Sequence, residues 1–369
     1  LLVLNDAIRS SNQEKKPEIK INSLNLTLTN QCNLSYKYCF QKDQELTKSS
    51  LNIESIMKAL NFFVKDQPFF SLRFYGGEAL LKWEDIKETV KFCNNNFKRT
   101  NFKYRIFTNG TLLSDDKIDF LKENSFDVTV TVNGPTESRN NSYENKHLDE
   151  FLGFEEKIIS LSNKISSENL MSYTVITDEN MDLSSLLPYL DSLGIKRCAF
   201  SPVTGLSEDK LKKLIARWIK HRNDFLKNSE NWKYFSFFED LNDVKKSISI
   251  QKEKPYFCNA GFSNINIDNS GNLSLCPRFQ NENNFSLGSI ENGLNYSFLE
   301  EILKYDFSTD PFSPCKNCFA RKICKGGCKI RNFYSSKNIN NPDEKYCNLI
   351  RSTIDLSIKS YIIENSSLN

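Results

Sequence analysis

A unit made of a short apolar or alternating strand, a loop and an amphipathic helix recurs six times from Leu24 onward. The predicted strands span residues 24–29, 69–75, 104–108, 128–132, 172–176 and 198–202. Strand–helix alternation with connections of this length predicts a parallel sheet with right-handed crossovers, and six units are enough for most of a barrel. We therefore expect an α/β chain with a partial (β/α)6 TIM-like barrel. Ligands then belong at the carboxyl ends of the strands.

Helical periodicity fills the connections between these strands. Predicted helices cover residues 53–65, 85–97, a segment after Ser114, 154–161 and 183–193. Asn52 is a suitable cap for the first helix. Asp115 and Asp116 would lie in the first turn of the third helix, where the helix dipole favours anions.

The character of the chain changes on either side of the repeat. Residues 1–22 are polar and lysine-rich, and are expected to be a flexible lead-in to a barrel at residues 23–205. Residues 206–257 predict a helical bridge, with helices at 208–225 and 237–249. Residues 258–347 predict a small domain with a hairpin turn at Asn269-Ser270-Gly271. Residues 348–369 complete a helix and tail that should pack on the bridge.

Cysteine usage points to metal. The chain has 11 cysteines but only 2 histidines, and seven of the cysteines fall between Cys258 and Cys347. No apolar run is long enough to cross a membrane, so we expect a cytoplasmic protein whose thiols stay reduced. A thiolate-rich ligand set suits iron–sulfur clusters or all-thiolate zinc. We take Cys93 and Cys198 to be small buried hydrophobic residues. A net charge of +3 gives no field strong enough to indicate nucleic acid.

Polar motifs follow the predicted strands at the active edge of the barrel. Cys32 to Cys39 follows strand one, and Gly76-Gly77-Glu78 follows strand two. Glycines allow a close backbone approach to a ligand, and the Glu78 carboxylate can bind an ammonium group. Residues 108–111 and 131–135 are polar turns after strands three and four. Any one of these motifs alone could be an ordinary turn.

Residues 1–205 resemble a radical S-adenosylmethionine (SAM) core, with one departure. That family holds a 4Fe-4S cluster on CxxxCxxC, whereas this chain has CxxxYxxC, with Cys32, Tyr36 and Cys39. The resemblance implies that aromatic Tyr38 lies near the adenine of SAM and that Gly76, Gly77 and Glu78 bind its amino group. It also implies that the SAM ribose and carboxylate meet polar residues at the ends of strands four and five, here Thr131, Asn133 and Thr174.

Residues 258–347 resemble a SPASM domain, whose pattern of cysteines is present in full. The matching positions are Cys258, Gly271, Cys276, Cys315, Cys318, Cys324, Cys328 and Cys347. The resemblance implies one auxiliary 4Fe-4S cluster on Cys315, Cys318, Cys324 and Cys347. It implies a second on Cys258, Cys276 and Cys328, one thiolate short. The alternative is a pair of structural zinc sites, which seven cysteines fit less well than eight.

Tyr36 leaves two functions open. A phenol is a poor substitute for a thiolate on a low-potential cluster, so we expect the SAM cluster to be absent or labile and the two auxiliary clusters to be intact. The favoured hypothesis is a pseudo-enzyme that binds or exchanges electrons with an active maturase. The alternative is an active maturase of a peptide or protein substrate, served by flavodoxin or ferredoxin. Sulfatase maturases carry an Asp directly after the second SPASM cysteine, but this chain has Pro277.

Overall fold

A computed structural model describes residues 19–39, 50–65, 67–135, 151–203, 206–249, 257–304 and 314–366. One eight-stranded sheet dominates it. Its strands are β1 (Ser23–Thr27), β2 (Phe69–Tyr75), β3 (Asn101–Thr108), β4 (Asp127–Thr131), β5 (Leu170–Ile176), β6 (Cys198–Pro202), β7 (Asn264–Ile267) and β8 (Leu273–Ser274). Each of the six predicted barrel strands is present, and the partial barrel is confirmed.

The strand order is β6-β5-β4-β3-β2-β1-β7-β8. Strands β1 to β6 are parallel to their neighbours, as six right-handed units require. The predicted hairpin of the C-terminal segment forms between β7 and β8. Its first strand also pairs in parallel with β1, with Leu24 opposite Ile265. The C-terminal segment therefore extends the barrel sheet, which the sequence did not predict.

Helices cover one face of the sheet and continue through the bridge. They are α1 (Ile53–Phe63), α2 (Trp83–Asn96), α3 (Asp115–Glu123), α4 (Phe154–Lys164), α5 (Leu183–Ser192), α6 (Glu208–Lys227), α7 (Glu239–Ser249), α8 (Tyr296–Leu303), α9 (Arg321–Cys324), α10 (Lys329–Ser336) and α11 (Glu344–Ser366). The predicted Asn52 cap is confirmed, since its side chain accepts a hydrogen bond from the Ser55 N–H. Across the described ranges, no helix is both long and apolar enough to span a bilayer.

Shorter elements complete the described chain. Among the residues described, 3-10 helices occur at Ala79–Lys82, Ser229–Phe237, Pro277–Phe279 and Asn283–Phe285, and a two-stranded antiparallel ladder joins β9 (Gly288–Ser289) and β10 (Gly293–Leu294). Residues 1–18 of the predicted lead-in lie outside the described residues. The Lys20 and Asn22 N–H groups donate to the backbone of Phe262 and Ser263, so the lead-in joins the C-terminal segment before β1 begins.

The two faces of the sheet differ in polarity because side chains alternate along each strand. Leu26, Phe74, Ile106 and Val130 are fully buried on the face that the barrel helices cover. The residues between them lie on the other face, where most are polar. Four of these residues stand in register on neighbouring strands: Asn25, Arg73, Arg105 and Asp127. The sheet thus presents one apolar packing surface and one polar surface.

The bridge helices and the final helix pack together. A buried arginine, which the sequence did not predict, lies between them. Arg222 of α6 is fully buried, and its guanidinium donates to Asp240 of α7 and to Thr353 of α11, at 3.1 Å in each case. One cation therefore ties three helices together. Cys93 and Cys198 are both fully buried, which confirms the prediction for these two residues.

We expect Arg222→Ala to lower the free energy of unfolding by roughly 2–4 kcal/mol, because it removes a buried partner from the Asp240 carboxylate and the Thr353 hydroxyl. The control is Arg217→Ala, whose ion pair with Asp178 is about half exposed on both sides and should contribute less than about 1 kcal/mol. Urea unfolding followed by circular dichroism measures both. Equal effects of the two substitutions would contradict the assigned role.

Candidate functional site

The loops after β1 and β2 are bound to each other through their backbones. The Leu28 N–H donates to Tyr75 O at 2.9 Å, the Gly77 N–H to Thr29 O at 2.8 Å and the Glu78 N–H to Gln31 O at 2.9 Å. Because parallel strands end at the same edge, the two predicted motifs lie side by side there. The residues that lead into Cys32 are therefore fixed by the Gly-Gly-Glu turn.

Gly76 and Gly77 are required by this backbone contact. A Cβ atom at position 76 would lie 2.6 Å from Thr29 O, and one at position 77 would lie 2.2 Å from Gln31 O. Both distances are shorter than any van der Waals contact, and the neighbouring atoms are backbone. The close approach that we predicted for a ligand is made here to the start of the cysteine loop.

Glu78 is buried and its carboxylate faces the end of β3. Oε1 accepts hydrogen bonds from the Thr108 hydroxyl at 2.7 Å and the Leu80 N–H at 3.0 Å, and Oε2 accepts one from the Asn109 N–H at 2.7 Å. Burial raises the pKa of this carboxyl group, and the three donors oppose the rise. Glu78 thus holds the loops after β2 and β3 together, a contact that the sequence did not predict.

Asn109 continues this network to the cysteine loop. Its side-chain amide donates to Asn33 Oδ1 at 2.9 Å and lies 3.8 Å from Cys32 Sγ. Asn33 in turn donates to Thr111 Oγ1 at 2.8 Å. The sequence predicted a polar turn after β3 but gave it no role. In the structure this turn supports Cys32.

The second half of the cysteine loop contains the two tyrosines. The Tyr36 and Tyr38 rings are 5.3 Å apart, and the Cys39 N–H donates to Tyr36 O. Asn133, after β4, donates to the Tyr38 hydroxyl and accepts from the Val175 N–H. Two of the predicted SAM-binding residues, Tyr38 and Asn133, are thus in direct contact.

Thr131 and Thr174 lie on opposite faces of the sheet. Thr131 is half-buried and stands opposite Tyr173, in the alternation that includes Asp127 on the polar face. Thr174 is fully buried in phase with Leu170 and Ile176 on the helix-covered face. Its hydroxyl donates to Val132 O at 2.7 Å. Thr174 therefore joins β5 to the end of β4 and offers no exposed group to a ligand.

The thiols of the C-terminal segment lie in two sets, and within each set they are close enough to influence one another electrostatically. In one set, burial raises the pKa of Cys258 and raises that of Cys276 to about 12, and the nearby Cys328 thiol adds to both increases. In the other set, burial and the thiols of Cys315, Cys318 and Cys347 raise the pKa of Cys324 to about 12. Crowded, desolvated thiols of this kind need a positive metal centre to become thiolates.

Throughout the ranges that the structure describes, no group of three or more His, Cys, Asp or Glu side chains could hold one metal ion. The thiols of the two sets are the residues that could hold iron–sulfur clusters, in which the thiolates are distributed over several irons.

The Cys32–Cys39 loop fits a three-thiolate cluster less well. It brings Cys32 and Cys39 within electrostatic range of each other, and burial raises the pKa of Cys32 to about 11. The third position holds the Tyr36 phenol. This loop supplies two thiols where such a cluster takes three.

Comparison with known proteins agrees with this architecture. Residues 26–182 match the radical SAM superfamily. The chain is 26% identical over 367 residues to a cysteine-type anaerobic sulfatase-maturating enzyme of Clostridium novyi, covering 89% of this chain and 92% of that protein. It is 29% identical over 141 residues to the radical SAM cyclopropyl synthase TigE of Paramaledivibacter caminithermalis, covering 32% and 28% of the two chains.

Solved structures show the same fold. Native anSMEcpe with bound AdoMet superposes with a TM-score of 0.74 at 19% identity, over 94% of this chain and all of that one. SuiB of Streptococcus suis bound to its precursor peptide SuiA gives a TM-score of 0.59 at 16% identity, over 89% of this chain and 76% of SuiB. At these identities the superpositions establish the architecture of the polypeptide.

We expect Glu78→Gln to destabilise the fold by about 1–3 kcal/mol, because the amide cannot accept from all three buried donors. Glu84→Gln is the matched control, since Glu84 lies on α2 with a side chain that is 77% exposed. Urea midpoints of the two variants provide the comparison. If Glu78→Gln left the urea midpoint unchanged, Glu78 would not have the structural role that we assign to it.

Proposed function

We propose that this chain, whose residues 26–182 match the radical SAM superfamily, is a radical SAM/SPASM-type iron–sulfur protein of the peptide- and protein-maturation group, with an impaired SAM cluster. The observation that carries the proposal is Tyr36. Its phenol occupies the middle ligand position between Cys32 and Cys39, against the ring of Tyr38. Two thiolates and a phenol do not suit a low-potential cluster.

The C-terminal segment retains the ligands that the cysteine loop lacks. In this proposal residues 258–347 are a SPASM domain, in which Cys315, Cys318, Cys324 and Cys347 hold one 4Fe-4S cluster. Cys258, Cys276 and Cys328 hold a second. Such clusters, when bound, supply one-electron transfer. Near the first set, the Arg351 guanidinium hydrogen-bonds Cys318, and a cation there favours the thiolate.

A protein that keeps its auxiliary clusters but does not cleave SAM could still act as the partner of another enzyme. We infer that it binds, or exchanges electrons with, an active radical SAM maturase, or holds that enzyme's peptide substrate. We place this protein in the reducing cytoplasm, where thiols remain available as cluster ligands.

The second candidate is an active maturase of a peptide or protein, supplied with electrons by flavodoxin or ferredoxin. The specific observation in its favour is the preserved support around the SAM loop, where Asn133 contacts Tyr38 and Glu78 anchors the turn after β3. Similarity to a sulfatase-maturating enzyme over most of both chains makes that substrate class relevant. The residue after Cys276 is Pro277, which has no proton-accepting side chain.

Iron counting on anaerobically reconstituted protein separates the two candidates. The proposal predicts about eight irons per chain, the content of two four-iron clusters. It also predicts no 5'-deoxyadenosine after reduction by dithionite in the presence of SAM. About twelve irons, or nucleoside formation, would establish the active maturase. Colourless protein rich in zinc would contradict both candidates.

Restoring the missing thiolate provides a gain-of-function test. Tyr36→Cys should raise the iron content by about four per chain and permit SAM cleavage, because the loop would then offer three thiolates. Tyr36→Phe is the control, since it keeps the ring against Tyr38 and adds no ligand. If Tyr36→Cys gained no iron over Tyr36→Phe, Tyr36 would not be the defect in this site.

A further inference from the structure

Positive charge is concentrated in one stretch of the C-terminal segment. Residues 314–342 contain seven lysine and arginine residues and no aspartate or glutamate. The whole protein has a net charge of only +3, so the rest of the chain is net negative. The positive field of the molecule therefore comes largely from this stretch, which includes four of the cysteines.

The turn that carries Cys315 and Cys318 brings part of this charge to the surface. The Cys318 N–H donates to Cys315 O at 3.0 Å, and the Arg321 N–H donates to Cys318 O at 3.1 Å, so the chain coils tightly here. The Arg321 guanidinium donates to Lys316 O at 3.1 Å, and Lys316 itself is exposed. Lys316 and Arg321 therefore lie on the same turn, next to two of the thiols.

Arg351 of α11 adds a third cation beside this turn. It lies four residues after Cys347, and residues at this spacing share one face of a helix. The turn and the helix are packed together by a small apolar cluster in which Ala320 and Ile354 are buried and Cys318 is partly buried. Arg351, next to Ile350 of the same cluster, also hydrogen-bonds Cys318. Packing within the protein therefore places all three cations at one site.

The charges of Lys316, Arg321 and Arg351 are not neutralised by carboxylates of the chain. Among the residues that the structure describes, none of the three forms an ion pair. Asp355, one turn after Arg351, pairs with Lys359 at 2.7 Å instead. Like charges held at one site repel one another, and an acidic surface that approached them would offset this repulsion.

An exposed aromatic residue lies between these cations. Phe319 is on the same turn, between Lys316 and Arg321 in sequence, and is 51% exposed. Interfaces between proteins commonly have an aromatic or apolar centre and a polar rim, and arginine is enriched in them. Phe319 with its neighbouring cations has this composition, which favours a protein partner over a small anion.

The thiols indicate what kind of protein would gain from binding here. Cys318 and Cys347 are partly exposed at this surface, whereas Cys315 and Cys324 are buried. In the proposed function these four thiols hold one 4Fe-4S cluster. Electron transfer between proteins falls steeply with distance, so a carrier has to dock where the ligands of a cluster approach the surface. Complexes of electron carriers are small, and opposite charges speed their association.

We propose that the surface formed by Lys316, Phe319, Arg321 and Arg351 is the docking site of a small acidic one-electron carrier of the flavodoxin or ferredoxin class. This proposal rests on the proposed iron–sulfur function and adds the docking surface and the charge of the partner. Carboxylates of the carrier pair with the three cations, and Phe319 packs against its apolar contact surface. One electron leaves the reduced carrier, which is oxidised, and reduces a cluster on the adjacent thiols. No bond forms or breaks.

The test measures the binding of oxidised flavodoxin, and separately of oxidised ferredoxin, to anaerobically reconstituted full-length protein by biolayer interferometry. At least one of them should bind. Raising NaCl from about 0.1 M to about 1 M shortens the Debye length from about 10 Å to about 3 Å and should weaken this binding at least about tenfold. A basic cytochrome c should bind at least about tenfold more weakly at the lower salt concentration.

Four results would overturn the proposal. They are binding of neither acidic carrier, binding that does not depend on salt, equal or tighter binding of cytochrome c, and displacement of the carrier by a single-stranded oligonucleotide of the same net charge. The last result would show a general surface for polyanions, as expected of a nucleic-acid site.

Substitutions then locate the binding surface. The double variant Lys316→Glu/Arg321→Glu should weaken binding of the carrier at least about tenfold, because two attractive charges become repulsive. The matched control is Lys91→Glu/Arg99→Glu, which changes the net charge equally at exposed positions on α2 and in the turn that follows it. This control should change the affinity less than about twofold. Equal losses in the two double variants would refute the assignment.

Phe319→Ser provides a test that changes no charge. It should weaken binding about fivefold and leave the salt dependence as it is, because it removes only the apolar centre of the surface. This variant decides the matter if Lys316→Glu/Arg321→Glu loses iron or fails to fold. Unchanged affinity of Phe319→Ser would then refute the docking surface.

Iron content and nucleoside formation, measured on the same samples, keep this proposal separate from the proposed function. Wild-type protein with about eight irons, no 5'-deoxyadenosine and no binding of either acidic carrier would refute the docking surface alone. Salt-dependent binding that Lys316→Glu/Arg321→Glu abolishes, in protein with about twelve irons that forms 5'-deoxyadenosine, would refute the proposed impairment of the SAM cluster alone.

Discussion

The close approach of two backbones at the carboxyl edge of the sheet determines the arrangement of the whole candidate site. Residues 29–31 pass so near to Gly76 and Gly77 that no side chain could stand between them. Glu78 then extends the contact to the end of β3 through three buried hydrogen bonds. Cys32 begins its loop from this anchored position, with Asn109 beside its sulfur atom. The start of the loop is therefore held by contacts within the protein.

The two faces of the sheet differ in composition and in what they contact. The helix-covered face buries leucine, isoleucine, valine and phenylalanine side chains and provides the stability of the barrel. The opposite face carries Arg73, Arg105 and Asp127, and the cysteine-rich segment adjoins the sheet at β1. Because β7 pairs with β1, that segment is part of the same sheet, and Cys258 lies near Arg73. Cys258 is therefore next to the polar face of the sheet.

Much of the fold could be predicted because the relevant signals are local. Alternating and apolar runs located β1 to β6, and cap and dipole signals located α1 and α3. The pairing of β7 with β1 joins residues about 240 positions apart in the sequence, and hairpin signals carry no information on such a pairing. Thr174 was predicted to meet SAM because it lies near the end of a strand. Which face of the sheet it occupies depends on how β5 pairs with β4, and the sequence of β5 alone does not give that pairing. The direction of the Glu78 carboxylate likewise depends on where β3 ends in space.

The central claim is that the Cys32–Cys39 loop, although correctly held, lacks a ligand that SAM chemistry requires. Electron paramagnetic resonance of the reduced, reconstituted protein tests this directly, because SAM bound to the open iron of a three-thiolate cluster changes the spectrum of that cluster. Our account predicts signals of the auxiliary clusters that are identical with and without SAM. A spectrum that shifts when SAM is added would show an intact SAM cluster and contradict the account.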